Sequence, residues 1–375
     1  MTAETLATQR DERHLLRAVE LAASARGRTS PNPLVGAVIV KGGRTIGEGF
    51  HHAAGCPHAE REALASCTED PAGATMYVSL EPCCHHGRTP PCTDAILAAG
   101  IARVVVASDD PSERASGRGL GILRDEGVTV EVVDGAVGET ARLLNQPFRK
   151  HARTGRPLVV WKAAMTLDGK VATGRGDSKW ISSAASRERA HRWRAEVDAV
   201  ACGIGTALAD DPLLTARVDG VERQPARVVF DSEARLPLTS RLAQTAREVP
   251  LYVVCSRAAG RTATEALTAA GAEVVVVRGD NDAVRLTAAL SELGAREIQS
   301  LLVEGGPHLS GVFFDAREID EARVFVAPLI AGGTRARTAL EGQGVELIGD
   351  APRALSQTVE TIGDDVVITS RFREW

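Results

Sequence analysis

Short apolar runs with strand character alternate with helical stretches along nearly the whole sequence, and that alternation restricts the chain to layered α/β architectures. Residues 11–25 (DERHLLRAVELAASA) open with acids and then set Leu15, Leu16, Val19, Ala22 and Ala23 at helical spacing. LVGAVIVKGGRTIGEG follows as strand, Gly-Gly turn and strand, the pattern of a hairpin. A helix is predicted over 58–67, a strand over 74–80, a helix over 92–99 and a strand over 103–107. GLGILRDEGVTVEV repeats helix, turn and strand, and GETARLLNQPFRK reads as one further helix.

At residues 151–157 (HARTGRP) the chain turns basic and rich in turn formers, and the order of elements then starts afresh. LVVWKAAM, DAVACGIG, ARVVFDS, LYVVC, EVVVV, QSLLVEGG and ARVFVAPLI read as strands, with a last one near DVVITSRF. Helices are expected over 183–195, 282–293 and 306–315. Two α/β domains are therefore predicted, over 1–150 and 158–375, with 151–157 as the linker. A chain of 375 residues is long enough for two such cores.

A net charge of −5 with 3% aromatics argues against a nucleic-acid groove, which needs basic residues and stacking rings. The first twenty residues carry acids and no apolar h-region, and no apolar run approaches the ~18 residues of a membrane span. A cytoplasmic protein without membrane contact is expected. In a reducing compartment, seven cysteines, an odd number, point to metal binding or catalysis before disulfides.

Three of those cysteines and two histidines crowd into SLEPCCHHGRTPPC, residues 79–92. Upstream lies CPHAERE, where a His-x-Glu at a helix start sets His58 to bind a metal with Glu60 beside the ion. Cys83 at a strand end and Cys92 at a helix start add two thiolates. Three protein ligands on a tetrahedral Zn²⁺ leave the fourth position to water, the mark of a catalytic site. The ion lowers the pKa of water from ~15.7 towards ~7, and Glu60 carries the proton to a ring nitrogen and then to a leaving amine. Another reading has Cys83 and Cys84 hold a structural zinc with His85 or His86. His51 and His52 read as loop histidines, Cys56 and Cys67 as packing thiols, and Asn32 in PNP as a turn residue.

These residues resemble the zinc nucleobase and nucleotide deaminases, whose signature is H-x-E followed by P-C-x-x-C. The departure lies in the nine-position spacing of Cys83 and Cys92, with CHHGRTPP between them. EPCCHHGRTPPC together with SPNPLVGAVIV is similar to the deaminase half of the bifunctional riboflavin-biosynthesis deaminase/reductases. The resemblance implies Cys83 and Cys92 as metal thiolates, Glu60 as proton shuttle and Asn32 as a pyrimidine contact. It also implies that His85, His86 or Arg88 stands near the phosphate or base of a phosphorylated substrate.

In the second half, no G-x-G-x-x-G follows the first strand, so a Rossmann domain is not supported. KAAMTLDGKVATGRGDSKWIS, with Leu167-Asp168-Gly169 at a strand end, is similar to dihydrofolate reductase. LLVEGGPHLSGVFF runs from a strand through Gly305-Gly306-Pro307 into a helix, a junction whose N–H groups suit a pyrophosphate. With GIGTALADDPLLTAR, these motifs extend the resemblance across nearly the whole chain. It implies a cytidine-deaminase-like three-layer α/β/α domain followed by a dihydrofolate-reductase-like α/β domain using NADPH. Cofactor contacts then fall at Ala164, Trp180, Thr206, Asp210, Ser232, Gly306, Pro307, His308 and Leu309. Substrate contacts fall at Ser178, Arg194, Leu214, Arg217 and Glu304. The arginines suit a phosphate and Glu304 a ribose hydroxyl. Asp168 can also be a plain turn former, Trp180 a core residue and Arg194 part of a solvated helix face. The resemblance further implies a homo-oligomer, dimer or tetramer, acting on a phosphorylated pyrimidine.

Overall fold

The computed structural model describes residues 3–86, 90–113 and 115–375, with side chains from residue 9 onward. The chain divides into two compact units, Met1–Gly155 with Trp375, and Arg156–Glu374.

In the first unit the order is α1 (Ala3–Ala23), β1 (Gly36–Lys41), β2 (Arg44–Phe50), α2 (Ala59–Ala65), β3 (Thr75–Val78), α3 (Cys92–Ala98), β4 (Arg103–Val106), α4 (Arg118–Asp125), β5 (Thr129–Val132), α5 (Ala136–Leu144) and α6 (Gln146–Thr154). The sheet runs β2-β1-β3-β4-β5. Its β1 is antiparallel to β2 and β3, and β3, β4 and β5 are parallel. Alternation along the strands splits the core in two. Ala37, Ile39, Met76, Val78, Val104 and Val106 face α2, α3 and α4, while Val38, Val40, Tyr77 and Val105 face α1 and α5. Burial on both faces gives the three-layer α/β/α arrangement. Between β1 and β2, Gly42 and Gly43 both take positive φ (55° and 78°), as a tight two-residue hairpin turn demands.

Two sequence expectations differ here. The first helix begins at Ala3, well before its acidic turn at residue 11. GETARLLNQPFRK is two helices broken at Asn145, because Pro147 belongs in a first helical turn. The Asn145 side chain pins the break, accepting from Leu34 N at 2.8 Å and donating to Leu34 O at 2.9 Å. Residues 151–154, expected in a linker, complete α6, which Gly155 ends in the left-handed conformation.

The second unit comprises β6 (Leu158–Thr166), β7 (Lys170–Ala172), α7 (Ala184–Glu196), β8 (Ala199–Gly203), α8 (Ile204–Asp210), β9 (Ala226–Phe230), α9 (Arg241–Gln244), β10 (Leu251–Cys255), α10 (Arg261–Ala270), β11 (Glu273–Val276), α11 (Asp282–Gly294), β12 (Ser300–Glu304), α12 (Pro307–Asp315), β13 (Glu321–Ala327), β14 (Arg337–Thr338), β15 (Ser356–Ile362) and β16 (Asp365–Arg371). Its nine-stranded sheet runs β11-β10-β9-β8-β12-β6-β13-β16-β15. The first seven strands in that order are parallel, and β16 and β15 close the edge antiparallel. β7 and β14 form a small separate ribbon. After β6 the chain winds outward on one side through β8, β9, β10 and β11, then returns through β12 and crosses to β13 on the other side of β6. A crevice therefore opens at the carboxyl ends of the parallel strands. No described helix is long and apolar enough to cross a membrane.

Candidate active sites

The first site grows from the packing of α2 on β2. Gly47 and Gly49 alternate onto one face of β2, and a Cβ on either would lie 2.4 Å from Ala63 O or 2.3 Å from Ala63 N. Only hydrogen side chains let α2 come this close. That contact fixes the helix start, where His58 is the N-cap residue and Glu60 stands in the first turn, 3% exposed. Cys83 follows β3, and Cys92 is the first residue of α3. The backbone joins the two directly: Cys83 O accepts from Cys92 N at 3.0 Å and Thr93 N at 3.2 Å.

Among the described residues, His58, Cys83 and Cys92 form a group whose ligand atoms all lie within 4.8 Å of one another. His58 Nδ1 is 3.4 Å from Cys83 Sγ and 3.3 Å from Cys92 Sγ. Ligand atoms of one tetrahedral zinc, at 2.0–2.3 Å from the ion, stand about 3.5 Å apart, so this donor set fits zinc. The electrostatics agree. A hydrogen bond from Cys92, aided by His58, holds the Cys83 thiol down at about 4, and the resulting thiolate pushes Cys92 up. A second thiolate in this space asks for a cation. Burial, reinforced by Cys83, raises the Glu60 carboxyl above its ordinary range.

The other candidates around this site fall apart in space. Cys84 is outside the trio. His52 stacks on Phe50 with ring centroids 3.9 Å apart, and Cys67 donates to Ala63 O at 3.4 Å against the core. The Nδ1 of His85 is buried with no hydrogen-bond partner among the described residues, His86 is exposed, and Arg88 lies outside the described residues. His51 is 2% exposed and edge-on to His58, with Asn32 on its far side.

In the second unit a cavity of about 1020 Å³ opens at the carboxyl ends of β6, β8, β9 and β12. It is lined by Ala164, Ser178, Trp180, Arg194, Thr206, Asp210, Arg217, Ser232 and the turn from Gly306 to Leu309. Gly305 and Gly306 take φ of 75° and 77°, and a Cβ on either would meet Thr206 at 3.1–3.2 Å. The strand-to-helix turn can thus press against α8 and turn its N–H groups outward. Leu214 is buried and does not line the cavity. Trp180 is 70% exposed, not a core residue, and carries the Arg187 guanidinium 4.5 Å above its ring. Asp168 is a clamp: it accepts from Ala331 N at 3.0 Å, Gly332 N at 2.8 Å and Thr166 Oγ1 at 2.6 Å, tying the turn after β6 to the chain after β13.

Arg194 and Glu304 bond each other, Nε to Oε1 at 2.6 Å and the second nitrogen to Oε2 at 2.8 Å. Arg194 also donates to Thr215 O at 3.1 Å, so it is no solvated helix residue. Arg217 lines the cavity with no carboxylate partner among the described residues. Lys162, absent from the residues expected by sequence, also lines it and lies 5.6 Å from the Phe325 ring centroid. Burial lowers its pKa, while Glu304 works in the opposite direction. The available signal was a lysine interrupting the apolar strand LVVWKAAM.

Comparison with known proteins gives one result for both halves. The family described as the cytidine and deoxycytidylate deaminase zinc-binding region matches residues 8–108, and the RibD C-terminal domain matches residues 157–368. The chain is 41% identical over 361 residues to the riboflavin biosynthesis protein RibD of Actinobacillus pleuropneumoniae, covering 96% of this chain and 95% of that one. It is 38% identical over 370 residues to RibD of Escherichia coli, covering 96% and 98%. Among solved structures, RibD of Acinetobacter baumannii aligns with a TM-score of 0.86 at 36% identity, over 97% of this chain and 99% of that one. A diaminohydroxyphosphoribosylaminopyrimidine deaminase/5-amino-6-(5-phosphoribosylamino)uracil reductase of Thermotoga maritima aligns at 0.83 with 35% identity, over 97% and 99%.

Proposed function

The chain belongs to the RibD family of riboflavin biosynthesis, and from that membership we propose how its own residues share out a deamination and a reduction. It is a bifunctional enzyme, a zinc-dependent deaminase and an NADPH-dependent reductase. The deaminase hydrolyses 2,5-diamino-6-(5-phosphoribosylamino)pyrimidin-4(3H)-one, and the reductase converts the ribose of 5-amino-6-(5-phosphoribosylamino)uracil to the ribityl chain.

His58, Cys83 and Cys92 hold the zinc. When bound, the ion supplies Lewis acidity that makes water a nucleophile near neutral pH. Glu60 takes a proton from the attacking water and delivers it to the pyrimidine ring nitrogen, then carries the proton of the hydroxyl left on carbon to the departing amine, which leaves as ammonia as the C–N bond breaks. Its burial keeps that proton away from bulk solvent. The observation that carries this assignment is the placement of a buried carboxylate in the same helical turn as the imidazole donor.

In the second unit the Gly306 to Leu309 turn and Thr206 hold the NADPH phosphates, with Ala164, Trp180, Asp210 and Ser232 along the same wall. Bound there, the cofactor supplies the hydride that the ribose carbon accepts. Arg217, with no carboxylate partner among the described residues, holds the substrate phosphate. Glu304, fixed by Arg194, takes ribose hydroxyls. Opening the furanose of a glycosylamine to its C=N form needs a proton at the ring oxygen, and that role falls to Lys162, a cavity-lining cation whose pKa burial lowers. Purified enzyme given the diaminopyrimidine nucleotide tests both halves: ammonia should appear with or without NADPH, and NADPH should be consumed only after deamination. Absence of ammonia in both arms overturns the deaminase half.

We also infer self-association and a cytoplasmic location. The edge strand β15 is exposed along nearly its whole length, with Val359 on it and Leu355 just before it each 63% exposed, and the chain leading to it exposes Leu347 and Ile348 at 67% and 91%. An open apolar edge of this kind is commonly covered by a second copy. Light scattering on the purified chain tests it: a homo-oligomer is expected, and a monomer overturns the reading. None of the seven cysteines forms a disulfide, which fits a reducing interior.

A further inference from the structure

His51 is almost sealed from solvent, and its two ring nitrogens face partners of opposite kind. Nδ1 is 3.0 Å from Pro57 O, and Nε2 is 3.0 Å from Asn32 Nδ2. A carbonyl can only accept, so Nδ1 carries the proton. An amide nitrogen can only donate, so Nε2 presents its lone pair. The reverse orientation, with Asn32 Oδ1 towards the ring, would need a doubly protonated imidazole. His51 pairs with no carboxylate among the described residues, and a buried charge without a counter-ion is strongly disfavoured. The backbone fixes both residues as well: His51 N donates to Val35 O at 2.9 Å, and Asn32 N to Thr29 O at 2.8 Å. Asn32 Oδ1 has no hydrogen-bond partner among the described residues and remains available to a ligand.

We propose that His51 is a positioning residue of the deaminase: as the Nδ1–H tautomer it binds Asn32 Nδ2, so that Asn32 offers its Oδ1 to an N–H donor of the pyrimidine. The proposal rests on the deaminase reading and on Asn32 as the pyrimidine contact. It assigns that contact a polarity: the group read is a ring N–H or an amino group, not a carbonyl. It also gives a buried histidine beside the metal ligands a task other than ligation.

The test uses the full zinc-loaded chain. Long-range ¹H–¹⁵N correlation spectra of histidine-labelled protein, with His51 assigned by its loss in His51→Phe, should show a protonated Nδ1 and a bare Nε2. A protonated Nε2 overturns the proposal whatever the activity. In kinetics, His51→Gln keeps an acceptor within reach of Asn32 whereas His51→Phe keeps none. Losing a neutral hydrogen bond of this kind is worth about tenfold, so KM for the diaminopyrimidine nucleotide should rise about tenfold in His51→Phe and much less in His51→Gln. Asn32→Asp, which sets two acceptors face to face, should raise KM despite its equal size. Zinc content and reductase turnover should stay at wild-type values in all three. Equal KM in His51→Phe and wild type, an equal loss in His51→Gln and His51→Phe, or loss of zinc overturns it. Failure of wild-type protein to release ammonia strikes the deaminase reading instead and leaves the spectrum to judge the tautomer.

Discussion

Glu304 takes both arms of the Arg194 guanidinium, at 2.6 and 2.8 Å, so two residues expected to meet the substrate separately form one buried ion pair. Burial alone would raise the Glu304 carboxyl, but the Arg194 charge and hydrogen bonds outweigh it, with Lys162 assisting, and hold it at about 2. A carboxyl depressed in the folded state contributes stability that is present above its unfolded pKa and lost as pH falls through the folded one. The pair should therefore stabilise fully above about pH 4.3 and fail between there and about pH 2. Arg194→Ala should cost about 3–5 kcal/mol at neutral pH by stranding the carboxylate, with the deficit shrinking on acidification. Urea unfolding followed across pH checks both; a pH-independent deficit would falsify the assignment.

Glu60→Gln should slow ammonia release by about 10²–10⁴-fold, the usual span of a general acid–base group, while leaving zinc in place. Metal analysis beside an ammonia assay decides it. Retained deamination removes Glu60 from the proton path.

Cys83→Ser and Cys92→Ser should each strip most of the zinc, and Cys84→Ser should not, because Cys84 stands outside the His58-Cys83-Cys92 group. Metal content by mass spectrometry after chelator dialysis separates the three. The opposite ranking would assign the metal to the loop cysteine.

Lys162→Met should lower reductase turnover by about 10²–10⁴-fold with NADPH affinity preserved, if the lysine is the proton donor. Because burial lowers the Lys162 pKa, the donor is lost as pH rises through a value below the ordinary ~10.4 of lysine. The alkaline limb of the reductase rate should accordingly begin lower than an exposed lysine would give. A flat alkaline profile in the wild type points to another donor.

Gly49→Ala forces a methyl to within 2.3 Å of the α2 backbone. Overpacking of that kind costs about 1–3 kcal/mol, and here it shifts the helix start that bears His58 and Glu60. Thermal melts should fall together with zinc affinity. Unchanged zinc affinity in a destabilised variant would mean that the helix start does not follow the strand.

The alternation of strands and helices was legible because the central strands of both sheets are buried on two faces, so each of those announces itself as an apolar run. The strand β15 (SQTVETI) gave no such signal, since it faces solvent along its length. The break at Asn145 escaped because its cause, a side chain reaching back to Leu34, is 111 residues away in sequence. The metal donors could be read from spacing, as chemistry restricts them to a few residue types. Which acid finds which base could not. Arg194 and Glu304 are 110 residues apart, and nothing local tells that they neutralise one another. Lys162 was visible as an oddity in a strand, yet its meaning depends on which wall of the cavity that strand supplies. Asp168 reads locally as a turn former or a motif residue, and its task depends on a loop 163 residues downstream.

Cys83 and the start of α3, the two ends between which CHHGRTPP is spliced, are joined by backbone bonds, since Cys83 O receives both Cys92 N and Thr93 N. Those two bonds make no demand on the side chains between. The length and sequence of that stretch can therefore change without loosening the clasp that keeps the two thiol donors together.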